Sequence, residues 1–192
     1  MRRAYRGTRR TLIPLWACVL VAVFGPQWAQ AAGSVPEVGS VLPDFQIETP
    51  RSGQEREYLG IGEVANFSVT QVGSPLLIIE IAGVFCPQCH IQAPLFNTLH
   101  NRIRKNADLD SKVRMMVLAA GATDNETAYM KQQLHIPFPV LKDQGFTIHK
   151  MLGEPRTPFT MVVNKDRKVL FAHLGVINDM EGFMAQLMKL AQ

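Results

Sequence analysis

Residues 76 to 82 read Leu-Leu-Ile-Ile-Glu-Ile-Ala, an apolar run broken only by Glu80. A run of this length without polar alternation fits a strand buried on both faces, and such strands belong to sheets covered on both sides by helices. Four residues later Cys86-Pro87-Gln88-Cys89 opens a segment in which Ile91, Leu95, Leu99 and Ile103 recur every four positions, the stripe of an amphipathic helix. A central strand feeding directly into a helix confines the chain to the α/β class. The rest of the sequence agrees. Val113 to Ala120 predicts a second buried strand, and Thr123 with Glu126 a capping box for a helix from Asp124 to Leu134 that Pro137 stops. Phe138 to Leu141 predicts a short extended segment, and Phe146 to Leu152 a short helix closed by Gly153. Phe159 to Val163 and Val169 to Leu174 flank the polar turn Asn164 to Lys168 as a hairpin, and Met180, Phe183, Met184, Leu187 and Met188 share the face of a last helix. Val41 to Ile47 predicts an edge strand bordered by Gly39 and Pro50. Residues 51 to 73 carry no clear period and are expected to form a variant edge or a partner surface. No internal repeat occurs.

The chain has 192 residues, 47% of them hydrophobic and 19% charged, enough to bury a core and incompatible with disorder. Its net charge of +4 is misleading. Residues 1 to 31 hold five arginines and no acid, so without them the 20 basic residues fall to 15 against 16 acidic ones. A nucleic-acid partner is therefore not expected. The same 31 residues run from an arginine-rich start through an apolar stretch, Leu12 to Phe24, to the small residues Ala29, Ala31 and Ala32. That order is a secretory signal with cleavage after Ala31. The alternative is an uncleaved membrane anchor through residues 11 to 31, although the compact apolar run of about 13 residues is short of the roughly 20 a bilayer needs. Arg9 and Arg10 resemble a twin-arginine signal, and Leu15 to Cys18 a weak lipobox. Each reading places the remaining domain, 37 to 192, in the periplasm or otherwise outside the cytoplasm.

Of the three cysteines, Cys18 lies in that leader and only Cys86 and Cys89 belong to the domain. Two cysteines three positions apart close too short a loop to staple a fold. Zinc would need further ligands, and no second C-x-x-C or paired histidines supply them, so no metal is assigned. What remains is a reactive pair. The N-terminus of a helix offers free N–H groups and a partial positive charge that favour a thiolate, which makes Cys86 the attacking sulfur and Cys89 the resolving one.

At these positions the chain resembles the thioredoxin superfamily, and within it the exported redoxin/TlpA/ResA-like thiol-disulfide oxidoreductases. Pro94, eight residues after Cys86, stands where such helices carry a kinking proline. Thr157-Pro158 matches the cis-proline loop that faces the disulfide, and Gly39, Pro43 and Phe45 match the G-x-x-x-P-x-F opening of the redoxins. The resemblance implies a central mixed β-sheet flanked by helices, catalysis by Cys86, Cys89 and Glu80, and substrate binding by Phe85, Pro87, Gln88, Thr157 and Pro158. Glu80 occupies the place of a buried carboxyl that exchanges a proton with the resolving cysteine, its pKa raised by burial. The resemblance also implies no cofactor beyond the redox-active Cys86-Cys89 disulfide. Implied partners are exported protein thiols or disulfides and an external electron donor or acceptor, with the haem-attachment cysteines of cytochromes c as one target. His90 reads as a solvated helix residue, while His100, His135, His149 and His173 share no spacing and carry no assignment. The chain departs from thioredoxin in its Pro-Gln dipeptide and in Phe85 for tryptophan, and from peroxiredoxins in Gly83 where a hydroxyl is required. A competing reading is a Cu(I)-binding metallochaperone of the same fold. Such proteins space their cysteines C-x-x-x-C and place a histidine where this chain has Arg156 and Thr157.

Overall fold

The computed structural model describes Met1 and residues 33 to 192. The leader with Cys18, and with it the choice between signal and anchor, lies outside the described residues. Among those described, no helix is long and apolar enough to cross a membrane. The elements run β1 (Ile47–Glu48), α1 (Gly53–Leu59), β2 (Asn66–Phe67), β3 (Leu76–Ala82), α2 (Pro87–Lys105), α3 (Ala107–Asp110), β4 (Val113–Ala120), α4 (Asp124–Gln133), β5 (Val140–Asp143), α5 (Thr147–Met151), β6 (Phe159–Asn164), β7 (Val169–Leu174) and α6 (Met180–Leu190).

Five strands form one mixed sheet in the order β5-β4-β3-β6-β7. β3, β4 and β5 are parallel, whereas β6 is antiparallel to both β3 and β7. β3 is central, and all seven of its residues are buried, as its apolar run requires. Alternation of side chains along the strand divides the core in two. Leu76, Ile78 and Ala82 face α2 and α6, where they pack with Phe96, Leu99, Ile103, Phe183, Met184 and Leu187. Leu77, Ile79 and Ile81 face the opposite layer, built from Phe45, Ile47, Leu59, Phe67, Val69, Ile148 and Leu152. Burying each such side chain contributes about 1.5–3 kcal/mol.

Residues 51 to 73 form a variant edge with an apolar inner side. They form α1, β2 and a 3-10 turn at Val69–Gln71 whose apolar side chains roof the second face of the sheet. Ser52 caps α1 and Gly60 ends it with φ 66°, a left-handed turn natural to glycine. The expected edge strand Val41 to Ile47 is corrected. Val41 bridges Lys168 at the start of β7, the segment then leaves at Pro43, which has no N–H to donate, and only Ile47–Glu48 pairs again, with Asn66–Phe67.

Two helical stripes are rotated from their expected faces. Steps of four residues overshoot one turn by about 40°, so a stripe of three such steps drifts by about 120°. Leu99 and Ile103 are buried, but Ile91 is 52% exposed and the inner face of α2 uses Cys89, Gln92, Ala93 and Phe96 instead. In α6, Phe183, Met184 and Leu187 are buried while Met188 points outward. β5 begins two residues late because Pro139 cannot donate to the ladder; its carbonyl accepts from the Val117 N–H at 2.9 Å. The Asp143 carboxylate at its end accepts from the Ile148 and His149 N–H groups, both at 2.8 Å, and so anchors α5. The capping box at Thr123 and Glu126 is present, and the hairpin pairs as its sequence predicts.

Candidate active site

β3 delivers the chain to Cys86 through Gly83-Val84-Phe85, and the glycine lets the turn pack closely. A Cβ on Gly83 would stand 3.3 Å from the Cys86 Cβ and 3.6 Å from the Thr157 Oγ1. Cys86 is the N-cap of α2, with Pro87 in the first turn, where its missing N–H costs nothing. The Cys86 Sγ accepts a hydrogen bond from the Cys89 N–H at 3.3 Å and, as a thiol, donates to the Thr157 carbonyl at 3.5 Å. Burial alone would raise the Cys86 pKa, but hydrogen bonds from the Cys89 thiol, from Thr157 and from the Cys89 and Gln88 N–H groups outweigh it and lower it below the ordinary thiol value. Cys89 behaves oppositely. It is 1% exposed, and burial, reinforced by its bond to Cys86, pushes its pKa far above the usual range. One thiol, in reach of solvent, loses its proton more readily than an ordinary thiol, and its neighbour one turn on is buried and holds its proton more tightly.

Glu80 lies under this pair on the α2 face of β3. It is buried, and loss of hydration, helped by the negative charge on Cys86, pushes its pKa up to about 8. The Thr157-Pro158 bond is cis and leads into β6, which brings the Thr157 carbonyl to the Cys86 sulfur. Phe85 is 72% exposed and packs at 6.4 Å between ring centroids on Tyr129 of α4, while Pro87 and Gln88 are exposed beside it. All eight site residues read from the sequence thus gather at the C-terminal end of β3 and the N-terminus of β6. His90 is not simply solvated, because its Nε2 lies 2.8 Å from the Val84 carbonyl and ties the first turn of α2 to the loop before it.

Sequence reasoning missed three buried polar groups on the same face. Gln92 is fully buried; its Oε1 accepts from the Ile177 N–H at 2.7 Å and its Nε2 has no partner. Thr160, beside Glu80, is fully buried with its hydroxyl unpartnered. His100 sits between the rings of Tyr58 and Phe138, and burial lowers its pKa. Thr160 was legible as the one hydroxyl in Phe159-Thr160-Met161-Val162-Val163, whereas Gln92 and His100 sit among polar helix residues that hide them. Among the described residues no group of three or more His, Cys, Asp and Glu side chains could hold a metal ion. An open cavity of about 560 Å³ beside Pro50 and Asn66 shares no residue with the thiol site.

A five-stranded mixed sheet, paired thiols at the N-terminus of its first long helix and a cis-proline loop facing them define the class: a thiol-disulfide oxidoreductase of thioredoxin-like fold. The chain belongs to the redoxin family, whose model, described as Redoxin, matches residues 37–187. It is 26% identical over 137 residues to a thiol-disulfide oxidoreductase ResA of Bacillus thuringiensis, covering 70% of this chain and 68% of that one. A ResA of Bacillus anthracis is 24% identical over 146 residues, covering 69% and 82%. Among solved structures, StoA from Bacillus subtilis superposes with a TM-score of 0.56 at 14% identity, covering 79% of this chain and 98% of that one. The thioredoxin domain of a thiol-disulfide oxidoreductase from Bacteroides vulgatus gives 0.61 at 11%, covering 82% and 99%.

Proposed function

We propose that the protein is exported and that it reduces or exchanges disulfides in other exported proteins, cycling between the dithiol and the disulfide of Cys86 and Cys89. The observation that carries this reading is the opposite tuning of the two sulfurs, with Cys86 lowered at the α2 N-terminus and Cys89 raised in the core behind it. In the forward step the Cys86 thiolate attacks a substrate disulfide, one substrate sulfur leaves with its electron pair, and a mixed disulfide forms. Cys89 then gives its proton to Glu80 and attacks the Cys86 sulfur. The Cys86–Cys89 bond forms, the mixed disulfide breaks and the second substrate thiol departs. The substrate has gained two electrons, which an external dithiol donor must return to the protein. Phe85, Pro87 and Gln88 form the exposed floor on which the target chain lies, and the Thr157 backbone pairs with it as an added strand would.

The direction of net electron flow follows from the potential of the couple, which equilibration against glutathione or dithiothreitol measures. A strongly negative value fits a reductase, including one that keeps haem-binding C-x-x-C-H cysteines of cytochromes c reduced, and a peptide of that pattern is the substrate to offer. Cys86→Ala should form no mixed disulfide, whereas Cys89→Ala should trap one. If both variants turn over, the reading fails. The copper-carrier reading requires a third soft ligand at the thiols. Anaerobic titration of the reduced protein with Cu(I) separates it, since a carrier would bind one ion tightly and lose its disulfide exchange on binding.

A further inference from the structure

The segment that follows β7 is hydrogen-bonded at both of its ends. The Gly175 N–H donates to the Pro158 carbonyl at 2.8 Å, and two residues on the Ile177 N–H donates to the Gln92 Oε1 at 2.7 Å. Gly175 turns the chain with φ 94°, a conformation natural to glycine. Pro158 belongs to the cis-proline loop, whose Thr157 carbonyl stands 3.5 Å from the Cys86 sulfur. Gln92 belongs to the helix that Cys86 caps, one turn beyond Cys89. These contacts close a ring that runs from Cys86 through Thr157-Pro158, Gly175, Ile177 and Gln92 and back along α2. The other side of the cis-proline loop is held separately, by the His149 Nε2 at 2.9 Å from the Pro155 carbonyl. The Gln92 amide is fully buried and makes its bond through the oxygen, while its Nε2 has no partner. An apolar side chain would pack better on a helix face shared with Cys89, Ala93 and Phe96, but it would leave the Ile177 N–H buried and unpaired.

We propose that Gln92 is a positioning residue: it holds the cis-proline loop at a fixed distance from the N-terminus of α2, and so sets the width of the groove in which a target chain meets Cys86. The inference rests on the dithiol reading above. α2 lies over the sheet, whereas Thr157 stands at the entrance of a strand within it, so apolar packing alone leaves their separation soft. A hydrogen bond of 2.7 Å fixes it to a few tenths of an ångström. A target chain paired with the Thr157 backbone must bring its sulfur into line with the Cys86 sulfur, and a displacement of about 1 Å costs on the order of a hundredfold in rate. Gln92 bonds to neither sulfur. It acts through Ile177, Gly175 and Pro158, on the geometry of the groove rather than on the thiols.

The test offers the fully reduced protein two disulfides at about pH 9, where Cys86 is largely ionised and Cys89 keeps its proton. 5,5′-Dithiobis(2-nitrobenzoic acid) is small and reaches Cys86 without pairing along Thr157. Insulin carries its disulfides on chains that must lie in the groove. Gln92→Met keeps the length of the side chain and removes the acceptor. In single turnovers over a range of insulin concentrations it should lower kcat/KM at least about tenfold, while the first release of thionitrobenzoate stays within about twofold of wild type. Gly175→Ala disturbs the other end of the same link. Its added methyl meets no atom within 4 Å, so the unfavourable φ alone acts on the turn, and the same selective loss is expected. Insulin kinetics within twofold of wild type in a folded Gln92→Met, or in Gly175→Ala where Gln92→Met does not fold, would overturn the assignment. An equal loss with both disulfides would overturn it too, since a general structural defect does not distinguish them. A wild-type protein that releases thionitrobenzoate but reduces no insulin would instead bring down the dithiol reading on which the inference rests.

Discussion

The two faces of β3 present one strand to two different environments. On the far face Leu77, Ile79 and Ile81 pack in an apolar cluster that runs from Leu42 through Val169. On the near face the alternate residues are Leu76, Ile78, Glu80 and Ala82, with Thr160 beside Glu80 in the sheet and Cys89 and Gln92 in the helix above, polar groups with almost no access to water. The far face spends every position on packing. The near face gives up packing quality at Glu80 and Thr160 and holds instead a carboxyl whose proton affinity burial raises well above the usual carboxylate range. Stability and chemistry thus separate by side-chain parity along a single strand, and changing one residue number by one should change which of the two is lost.

The largest effects fall on the thiols themselves. Cys86→Ser should remove turnover altogether while leaving the unfolding midpoint near that of the reduced wild type, which insulin reduction and denaturant titration together report. Next is Glu80. Its folded pKa of about 8 lies above the ordinary 4.5, so the folded state holds its proton more tightly than the unfolded chain does. The stability of the protonated form is complete below about pH 4.5 and declines as pH rises to about 8, where the loss reaches on the order of 5 kcal/mol and levels off. Measured on the oxidised protein, in which the thiols do not titrate, this slope should be present in the wild type and absent in Glu80→Gln. The variant should be the more stable protein at pH 8 and should resolve mixed disulfides about a hundredfold more slowly. A variant less stable than wild type at pH 8 would mean that Glu80 has a stabilising partner rather than a buried charge.

Across the strand the expected pattern inverts. Ile79→Ala should destabilise by about 2–5 kcal/mol through a cavity between the sheet and the roof of residues 45 to 72. The Cys86–Cys89 potential should stay where it was. A shifted potential would show that the two layers communicate through β3. A smaller effect belongs to Gly83→Ala, whose added methyl meets the Cys86 Cβ at 3.3 Å. The turn must open by a few tenths of an ångström, which should weaken the Cys89 N–H to Cys86 Sγ bond and raise the alkylation pKa of Cys86, with about 1 kcal/mol or less lost in stability.

The parts legible in the sequence were those whose signal is local. β3, the capping box of α4 and the β6–β7 hairpin appear within a residue of their expected bounds, because an unbroken apolar run, a side-chain cap and a short polar turn are each decided by a few neighbouring residues. The same is true of Cys86 and Cys89, of Glu80 six residues before Cys86 in the apolar strand, and of Thr157-Pro158 at the entry to the hairpin strand. The roof formed by residues 51 to 73 was not legible, since its apolar residues are spaced by turns rather than by a helical or strand period and find their role only against β3 and β4. Ile91 lies outward because a four-residue spacing drifts off one helix face within three steps, and Met188 because it stands at the margin of the face that Phe183, Met184 and Leu187 form. Gln92 and His100 stay hidden because their polar neighbours along α2 give no local sign of which of them the fold buries.

The central claim is that the two sulfurs, three residues apart, have opposite proton affinities because one caps a helix and the other lies beneath it. Alkylation by iodoacetamide of the reduced protein between pH 4 and 10, with each cysteine followed separately by peptide mass spectrometry, tests it directly. Cys86 should be labelled with a midpoint below the ordinary thiol pKa of about 8.5, and Cys89 should remain unlabelled through the neutral range while the fold is intact. Equal labelling of both cysteines with a common midpoint near that ordinary value would contradict the account.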